Sequence, residues 1–394
     1  MMSTPDMARC LQCCQGGVRM APANPTILIP EPERPPEELP PGTQIDRYEV
    51  LGLLGQGGIA RVYRVRHRKL GTIHALKVLA IDRPSVQERA IQEGRVQAAL
   101  RHPNVVAVTD IITHQGVPVL VLEYVAGPSL EQLLGAQRLP LDEVDPLVRG
   151  ILDGVAHAHA QGVVHRDLKP GNILLEVVER TLVPRVTDFG IAKLLAPSSH
   201  AIRTQAGTVM GTPAYMSPEQ LIDSSKVDAR ADVWALGVLM YEMCTGRTPF
   251  DPGDANVHKQ IATGRYLDPR TWVPELPDRM VRAIHGALRP DRSERITDAA
   301  ALLTVWSDGE RRVHPELGAS CSATTLATAY AHRPQLIRSP DAPQQTPIST
   351  LRSRPWWPMD PRGRPSTLMW ILAVIPALLT LILLAISVLV GLSL

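Results

Sequence analysis

The spacing of apolar and polar positions changes character twice along the chain. Between Tyr48 and Tyr124, short β-type runs recur at Tyr48 to Leu54, Ala60 to Arg66, Thr72 to Ala80, Val105 to Ile112 and Pro118 to Tyr124, the first three separated by Gly-containing turns. Such runs, rich in branched residues and bounded by turn residues, predict strands. Val86 to Leu100 instead spaces Glu and Arg among apolar positions and predicts a helix, so this region reads as five strands and one helix. After Gly127 the helical period takes over. Val144 to Gln161 puts Leu147, Val148, Ile151, Leu152 and Val155 on one face, and Gly162 stops it. Asp232 to Thr245, Arg279 to Leu288 and Asp298 to Val305 predict further helices. The fold class is α+β.

The flanks have a different texture. Residues 21–41 hold eight prolines with Glu31, Glu33, Glu37 and Glu38 among them, so 1–47 reads as an extended, solvated leader. No apolar stretch follows the start, and no signal peptide is expected. Residues 307–365 are rich in Pro, Ser and Arg and read as a flexible tether. From Leu368 to Leu394 the chain has 27 residues without a charge, rich in Leu, Ile, Val and Ala. A spanning helix needs about 20 such residues and tolerates a proline like Pro376, so 368–390 is expected to cross a membrane. Arg352, Arg354, Arg362 and Arg364 upstream place the preceding chain on the cytoplasmic side. Trp356, Trp357 and Trp370 fit an interfacial belt, with linker aromatics as the lesser alternative for the first two.

Composition narrows the chemistry. The 41 basic and 39 acidic side chains nearly cancel, which gives no reason to expect a nucleic-acid partner. Cys10, Cys13, Cys14, Cys244 and Cys321 are too few and too scattered for a disulfide framework. Cys10, Cys13 and Cys14 offer three thiolates where zinc takes four ligands, so a reduced N-terminus is the favoured reading over a metal site. Only six of the basic residues are lysines, which directs attention to each of them.

Two segments carry the chemistry. Leu54-Gly55-Gln56-Gly57-Gly58-Ile59-Ala60-Arg61-Val62 lies between two predicted strands, where glycines let backbone N–H groups approach phosphates. Lys77 follows on the next strand and can reach the α- and β-phosphates. Alone, both signals are weak, since Gly-rich hairpins and surface lysines are common. His165-Arg166-Asp167-Leu168-Lys169-Pro170-Gly171-Asn172, followed by Asp188-Phe189-Gly190, is much more specific. The Asn172 amide and the Asp188 carboxylate can hold Mg²⁺ on a triphosphate, as hard oxygen ligands suit that ion. Asp167 can then take the proton of an attacking hydroxyl, and Lys169 can neutralise the transferring phosphoryl group.

With these motifs the chain resembles the eukaryotic-type protein kinase family, its bacterial Ser/Thr members most closely, over about residues 48–306. The resemblance implies a bilobal fold: a five-stranded N-lobe with one helix over 48–124, and a mainly helical C-lobe over 125–306. It also implies roles that spacing does not reveal. Glu93 is placed to pair with Lys77. Leu122 is the gatekeeper, and Glu123 to Val125 form the adenine hinge. Asp232 anchors the catalytic loop, and Arg295 partners Glu219 in Ser217-Pro218-Glu219. Ala60 stands where the family has its third glycine, and Ser217 where it has Ala; both are small. Lys77, Glu93, Asp167, Asn172 and Asp188 fill the five positions needed for phosphoryl transfer.

Lys169, two residues after the base, is the Ser/Thr-kinase pattern. The segment between Asp188 and Glu219 holds Thr204 and Thr208 as candidate phosphosites, which Arg166 could pair with once phosphorylated. Thr212 is the threonine that the family brings to the catalytic Asp and Lys. The expectation is therefore a membrane-tethered Ser/Thr protein kinase using ATP and Mg²⁺, single-pass, with its kinase domain cytoplasmic. Its partners would be protein substrates, the membrane and a second copy for trans-autophosphorylation. The intact catalytic set argues against a nucleotide-binding scaffold. The protein-substrate platform implied by Gly211 to Glu219 argues against a small-molecule kinase.

Overall fold

The computed structural model describes residues 38–56, 60–79, 84–189, 213–223, 227–309 and 319–332. The leader through residue 37, the candidate span 368–390 and the phosphosites Thr204 and Thr208 lie outside them. Among the described residues, no helix is long and apolar enough to cross a membrane.

The N-lobe is an antiparallel sheet of six strands in the order β1-β2-β3-β4-β6-β5. They are β1 (Gln44–Ile45), β2 (Tyr48–Gln56), β3 (Ala60–His67), β4 (Ile73–Leu79), β5 (Val108–His114) and β6 (Val117–Glu123). Tyr48, Val50, Tyr63, Val65, Leu76, Val119 and Val121 are buried together on one face, as alternation requires. Helix α1 (Pro84–Ala99) packs on β5 and β6. It approaches closely at Gly94, where a Cβ would stand 2.8 Å from Leu120 Cδ2.

Two expectations are corrected here. The sheet has six strands rather than five, because Gln44 and Ile45 pair with Glu49 and Tyr48. Ile45 is 1% exposed, so the lobe begins inside the stretch read as leader; the prolines before it hid this anchor. The run from Val105 becomes strand only at Val108. Val106 N–H donates instead to Val186 O at 2.8 Å, so a partner in the C-lobe takes over the start of the run.

The C-lobe opens with α2 (Leu130–Ala136) and α3 (Leu141–Ala160), then the hairpin β7 (Ile173–Val178) and β8 (Thr181–Val186). Among the described residues, α4 (Pro218–Ile222), α5 (Ala229–Thr245), α6 (Val257–Thr263), α7 (Asp278–Ala287) and α8 (Ala299–Trp306) follow. Ser129 caps α2 by accepting from Gln132 N–H at 3.2 Å, while the Gln132 side chain returns to Ser129 N–H. Helix α5 is buried nearly all round, so it forms the axis of the lobe. Trp234 from this axis stacks on Phe250 with the ring centroids 5.4 Å apart.

The tether expected over 307–365 is corrected in part. Ala319–Ser320 form β9, which joins β8 as a third strand, and Ala323–Ala331 form helix α9. Ala319 and Ala329 are fully buried and Leu326 nearly so. The surrounding Pro- and Arg-rich sequence masked a short apolar stretch that completes the back of the lobe.

Candidate active site

Strand register brings the first part of the site together. Lys77 on β4 lies opposite Val62 on β3, and Gly55 and Gln56 on β2 pair with Val62 and Arg61. Lys77 therefore sits beneath the ends of the strands that carry the Gly-rich turn. Leu54, Gly55, Gln56, Ala60, Arg61 and Val62 are placed by these strands; Gly57, Gly58 and Ile59 lie outside the described residues.

The Lys77 side chain is almost wholly buried, and its Nζ meets Asp188 Oδ1 at 2.8 Å. Burial alone would raise the Asp188 carboxyl. The Lys77 ammonium and its hydrogen bond, with His165 and Lys169 beyond, outweigh that and hold it below the ordinary carboxylate range. Glu93 lies on α1, but its side chain is outside the described residues. Among the described residues, Lys77 pairs with Asp188.

The catalytic loop is held from below. Asp232 on α5 accepts from the N–H groups of His165 and Arg166, both at 2.7 Å, and also bonds His159 Nε2 at 2.9 Å. Asp232 is buried, so three donors satisfy a carboxylate that would otherwise be costly there. His165 Nε2–H donates to Thr187 O at 2.8 Å, and its Nδ1 accepts from Asp167 N–H at 3.3 Å. This ring braces the loop against the Asp188 segment. Its other face lies 4.7 Å from the Phe189 ring, which is itself 2% exposed.

The candidate catalytic side chains converge above these supports. Lys169 Nζ donates to Asp167 Oδ2 at 2.8 Å. Asn172 Nδ2 donates to Asp167 O at 2.7 Å and to Asp167 Oδ2 at 3.1 Å. With its nitrogen committed to Asp167, the Asn172 amide keeps its oxygen for another partner. Arg166 and Asp188 both have positive φ, 70° and 66°. Such backbone in non-glycine residues carries strain, here flanking the catalytic aspartate and at the second acid.

The Glu219–Arg295 pair that the resemblance implies is formed. Arg295 grips Glu219 with both ends of its guanidinium, at 2.7 and 3.1 Å, and its side chain is fully buried. At the expected gatekeeper and hinge positions, Leu122 and Val125 are buried and Glu123 is half-buried. Arg166 Nη2 reaches Val227 O at 3.5 Å, while Thr204, Thr208 and Thr212, like Gly190, lie outside the described residues.

Two features escaped the sequence reading. Arg185, three residues before Asp188, donates to Glu123 of the hinge and to Pro103 O, and meets Glu176 at 3.1 Å. A charged residue near the end of a core strand was the available signal. The second is a cavity of about 230 Å³ beside the catalytic loop, lined by Glu131, Gln137, Pro170, Tyr215 and Glu242 among others. Tyr215 OH donates to Glu242 Oε2. Burial raises the Glu242 carboxyl, with the Tyr215 hydrogen bond opposing and Glu131 adding to the rise. A lone glutamate in an apolar helix was the signal for it.

Comparison with known proteins agrees with this geometry. The protein kinase domain family matches residues 48–307. The DNA damage-responsive serine/threonine-protein kinase RqkA of Deinococcus radiodurans is 37% identical over 284 residues, covering 69% of this chain and 41% of that protein. Serine/threonine-protein kinase pkn2 of Myxococcus xanthus is 39% identical over 267 residues, 65% of this chain and 32% of its own length. The chain thus spans about a third to two-fifths of these relatives. Among solved structures, the kinase domain of Mycobacterium tuberculosis PknI has a TM-score of 0.54 at 24% identity, covering 69% of this chain and all of that one, a likeness of fold. Rad53 1–466 in complex with AMP-PNP has a TM-score of 0.54 at 27% identity, covering 65% of this chain and 64% of that one.

Proposed function

The chain belongs to the protein kinase family, among the bacterial Ser/Thr kinases, and from that premise we propose that it transfers the γ-phosphoryl of ATP to Ser and Thr hydroxyls of proteins. The observation that carries this reading is the convergence of Asp167, Lys169 and Asn172, with Lys77 and Asp188 joined across the cleft. The substrate hydroxyl oxygen attacks the γ-phosphorus, the bond to the β–γ bridging oxygen breaks, and ADP leaves. Asp167 accepts the hydroxyl proton. Lys169, already bonded to Asp167, faces the negative charge of the transferring group, and Lys77 holds the α- and β-phosphates. Catalysis here is positioning and charge neutralisation.

Asn172 and Asp188 supply an amide oxygen and a carboxylate kept ionised by Lys77, a donor set that fits Mg²⁺. When bound, that ion neutralises and orients the phosphates. The cavity bearing Glu131 and Glu242 is lined also by Pro170 of the same loop as Asp167 and Lys169, which favours substrates with basic residues near the acceptor hydroxyl. Incubating the purified chain with Mg²⁺, labelled ATP and a basic protein, then identifying the labelled amino acid, tests this; label absent from Ser and Thr overturns it.

The same reading extends to regulation and place. Thr204 and Thr208 are proposed autophosphorylation sites, by a second copy of the chain, on the strength of Arg166 beside the base. Residues 368–390 are proposed as a single membrane span, supported by the 27 uncharged residues and the arginines before them. Mass spectrometry after ATP incubation tests the first, with both threonines unmodified as the contrary result. Alkaline carbonate washing of membranes tests the second, with release of the full chain as the contrary result.

A further inference from the structure

The hairpin β7–β8 is the mount of the proposed metal ligands. β7 begins directly after Asn172, and β8 ends two residues before Asp188. Six paired positions run from Ile173 opposite Val186 to Val178 opposite Thr181. At the open end, Thr187 N–H donates to Asn172 O at 3.0 Å. A two-stranded ribbon is marginally stable by itself, so its geometry depends on what packs around it.

The support at the closed end comes from far along the chain. Ala319 and Ser320 pair with Leu182 and Thr181 on the outer edge of β8, and Cys321 N–H donates to Arg180 O at 3.2 Å. Helix α9 then crosses to β7 and α2. Both polar ends of one amide are taken up there: Gln137 Nε2 donates to Thr325 Oγ1, and Thr328 Oγ1 donates to Gln137 Oε1, each at 2.8 Å. Buried Glu143 of α3 accepts from Ser322 N–H at 2.8 Å. Residues 319–332 thus tie α2, α3 and both hairpin strands into one unit.

That unit reaches the site by two routes. Gly127, just past the expected hinge, lies so close to β7 that a Cβ there would stand 1.6 Å from Leu175 O, so this segment and the hairpin are in direct backbone contact. Arg185 on β8 bonds hinge residue Glu123. Gln137, held by α9, also lines the acidic cavity.

We propose that residues 319–332 are a positioning strap, whose docking on β8 and α2 is coupled to the binding of Mg²⁺ and nucleotide at Asn172 and Asp188. The proposal rests on the nucleotide-binding part of the functional reading. Linkage makes it reciprocal: whatever loosens the strap weakens the site, and whatever fills the site holds the strap down by the same factor.

Cys321 reports the docked state. It belongs to the strap and is 5% exposed in the docked state, and burial, with Glu143 near, pushes its thiol up to about 11, so alkylation requires the strap to open. The test uses the full-length chain and follows Cys321 and Cys244 by peptide mapping with and without Mg²⁺ and AMP-PNP. Cys244, buried in α5, reads global opening. The expected result is at least about fivefold slower labelling of Cys321 with nucleotide, and less change at Cys244. Equal slowing at both cysteines, or none at Cys321, overturns the strap. A milder variant, Thr325→Val with Thr328→Val, should speed Cys321 labelling and raise KM for ATP more than it lowers kcat. Unchanged KM with faster labelling also overturns it. Protection of Cys321 without any phosphoryl transfer would instead overturn the kinase reading and leave the strap standing.

Discussion

Two Lys–Asp pairs of the same length, 2.8 Å, occupy the candidate site, and they are built differently. Lys77–Asp188 joins the N-lobe sheet to the hairpin of the C-lobe, with the lysine side chain 7% exposed and the aspartate 30%, so it is the more buried of the two. Lys169–Asp167 lies within three residues of one loop, with side chains 32% and 40% exposed. The buried pair fixes where two lobes meet, so its loss is felt by the fold as well as by the chemistry. The open pair must admit a substrate, so water and the incoming hydroxyl share its surroundings. Equal distances therefore conceal unequal work: a surface pair is worth little to stability, whereas breaking a buried one leaves a charge without its partner.

Replacing each lysine separates the two. Lys77→Met should lower transfer at least about a hundredfold and also cost about 1–3 kcal/mol of stability, since it strips Asp188 of its nearest counter-charge. Denaturant unfolding beside an activity assay reads both; a variant as stable as the parent would show that the pair does not join the lobes. Lys169→Ala should lower transfer about ten- to hundredfold with a stability change below about 1 kcal/mol. A larger loss of stability would make the open pair structural and erase the contrast.

How much of this was legible in the sequence depended on how local each feature is. Asp167, Lys169, Asn172 and Asp188 stand in two short ordered motifs, so their roles were readable before their geometry. The supports of Asp232 and Arg295 were readable only through resemblance, because their partners lie 66 and 76 residues away. Arg185 and Glu242 left only weak signals that went unread, and the 319–331 segment left none. Arg185 is one arginine among 35, and its bonds to Pro103 and Glu123 exist only after folding. Ala319 to Ala331 carries few large apolar residues, and what recruits it is the free edge of β8, a property of the lobe. The N-lobe strand at Ile45 was obscured in the same way by the prolines preceding it.

Acidity offers a finer division of the two pairs. The folded pKa of Asp188 lies below its unfolded value, so the stability it contributes is present above the ordinary carboxylate range and lost as pH falls through the lowered value. The stability gap between the parent and Asp188→Asn should therefore stay level from neutral pH down to about 4 and close only below that. A gap that closes between about pH 7 and 5 would contradict the buried pairing.

The smallest effect concerns the acidic cavity next to the open pair. Glu242 is raised by burial, so it takes up its proton at a higher pH than an ordinary carboxyl. Preference for a peptide with arginine near the acceptor serine, over its neutral counterpart, should weaken as pH falls, ahead of any loss from Asp188. Glu242→Gln should reduce that preference by about three- to tenfold at neutral pH. Equal preference in parent and variant would remove the cavity from substrate recognition.

The central claim is that the open pair performs the chemistry on a scaffold that does not need it for folding. Single-turnover transfer from labelled ATP to a protein serine, in the parent and in Asp167→Asn, tests this most directly, with nucleotide affinity and thermal unfolding measured on the same samples. The account predicts unfolding and affinity close to those of the parent, and transfer slower by about 10² to 10⁴. A folded Asp167→Asn chain that binds nucleotide and transfers at nearly the parental rate would contradict it.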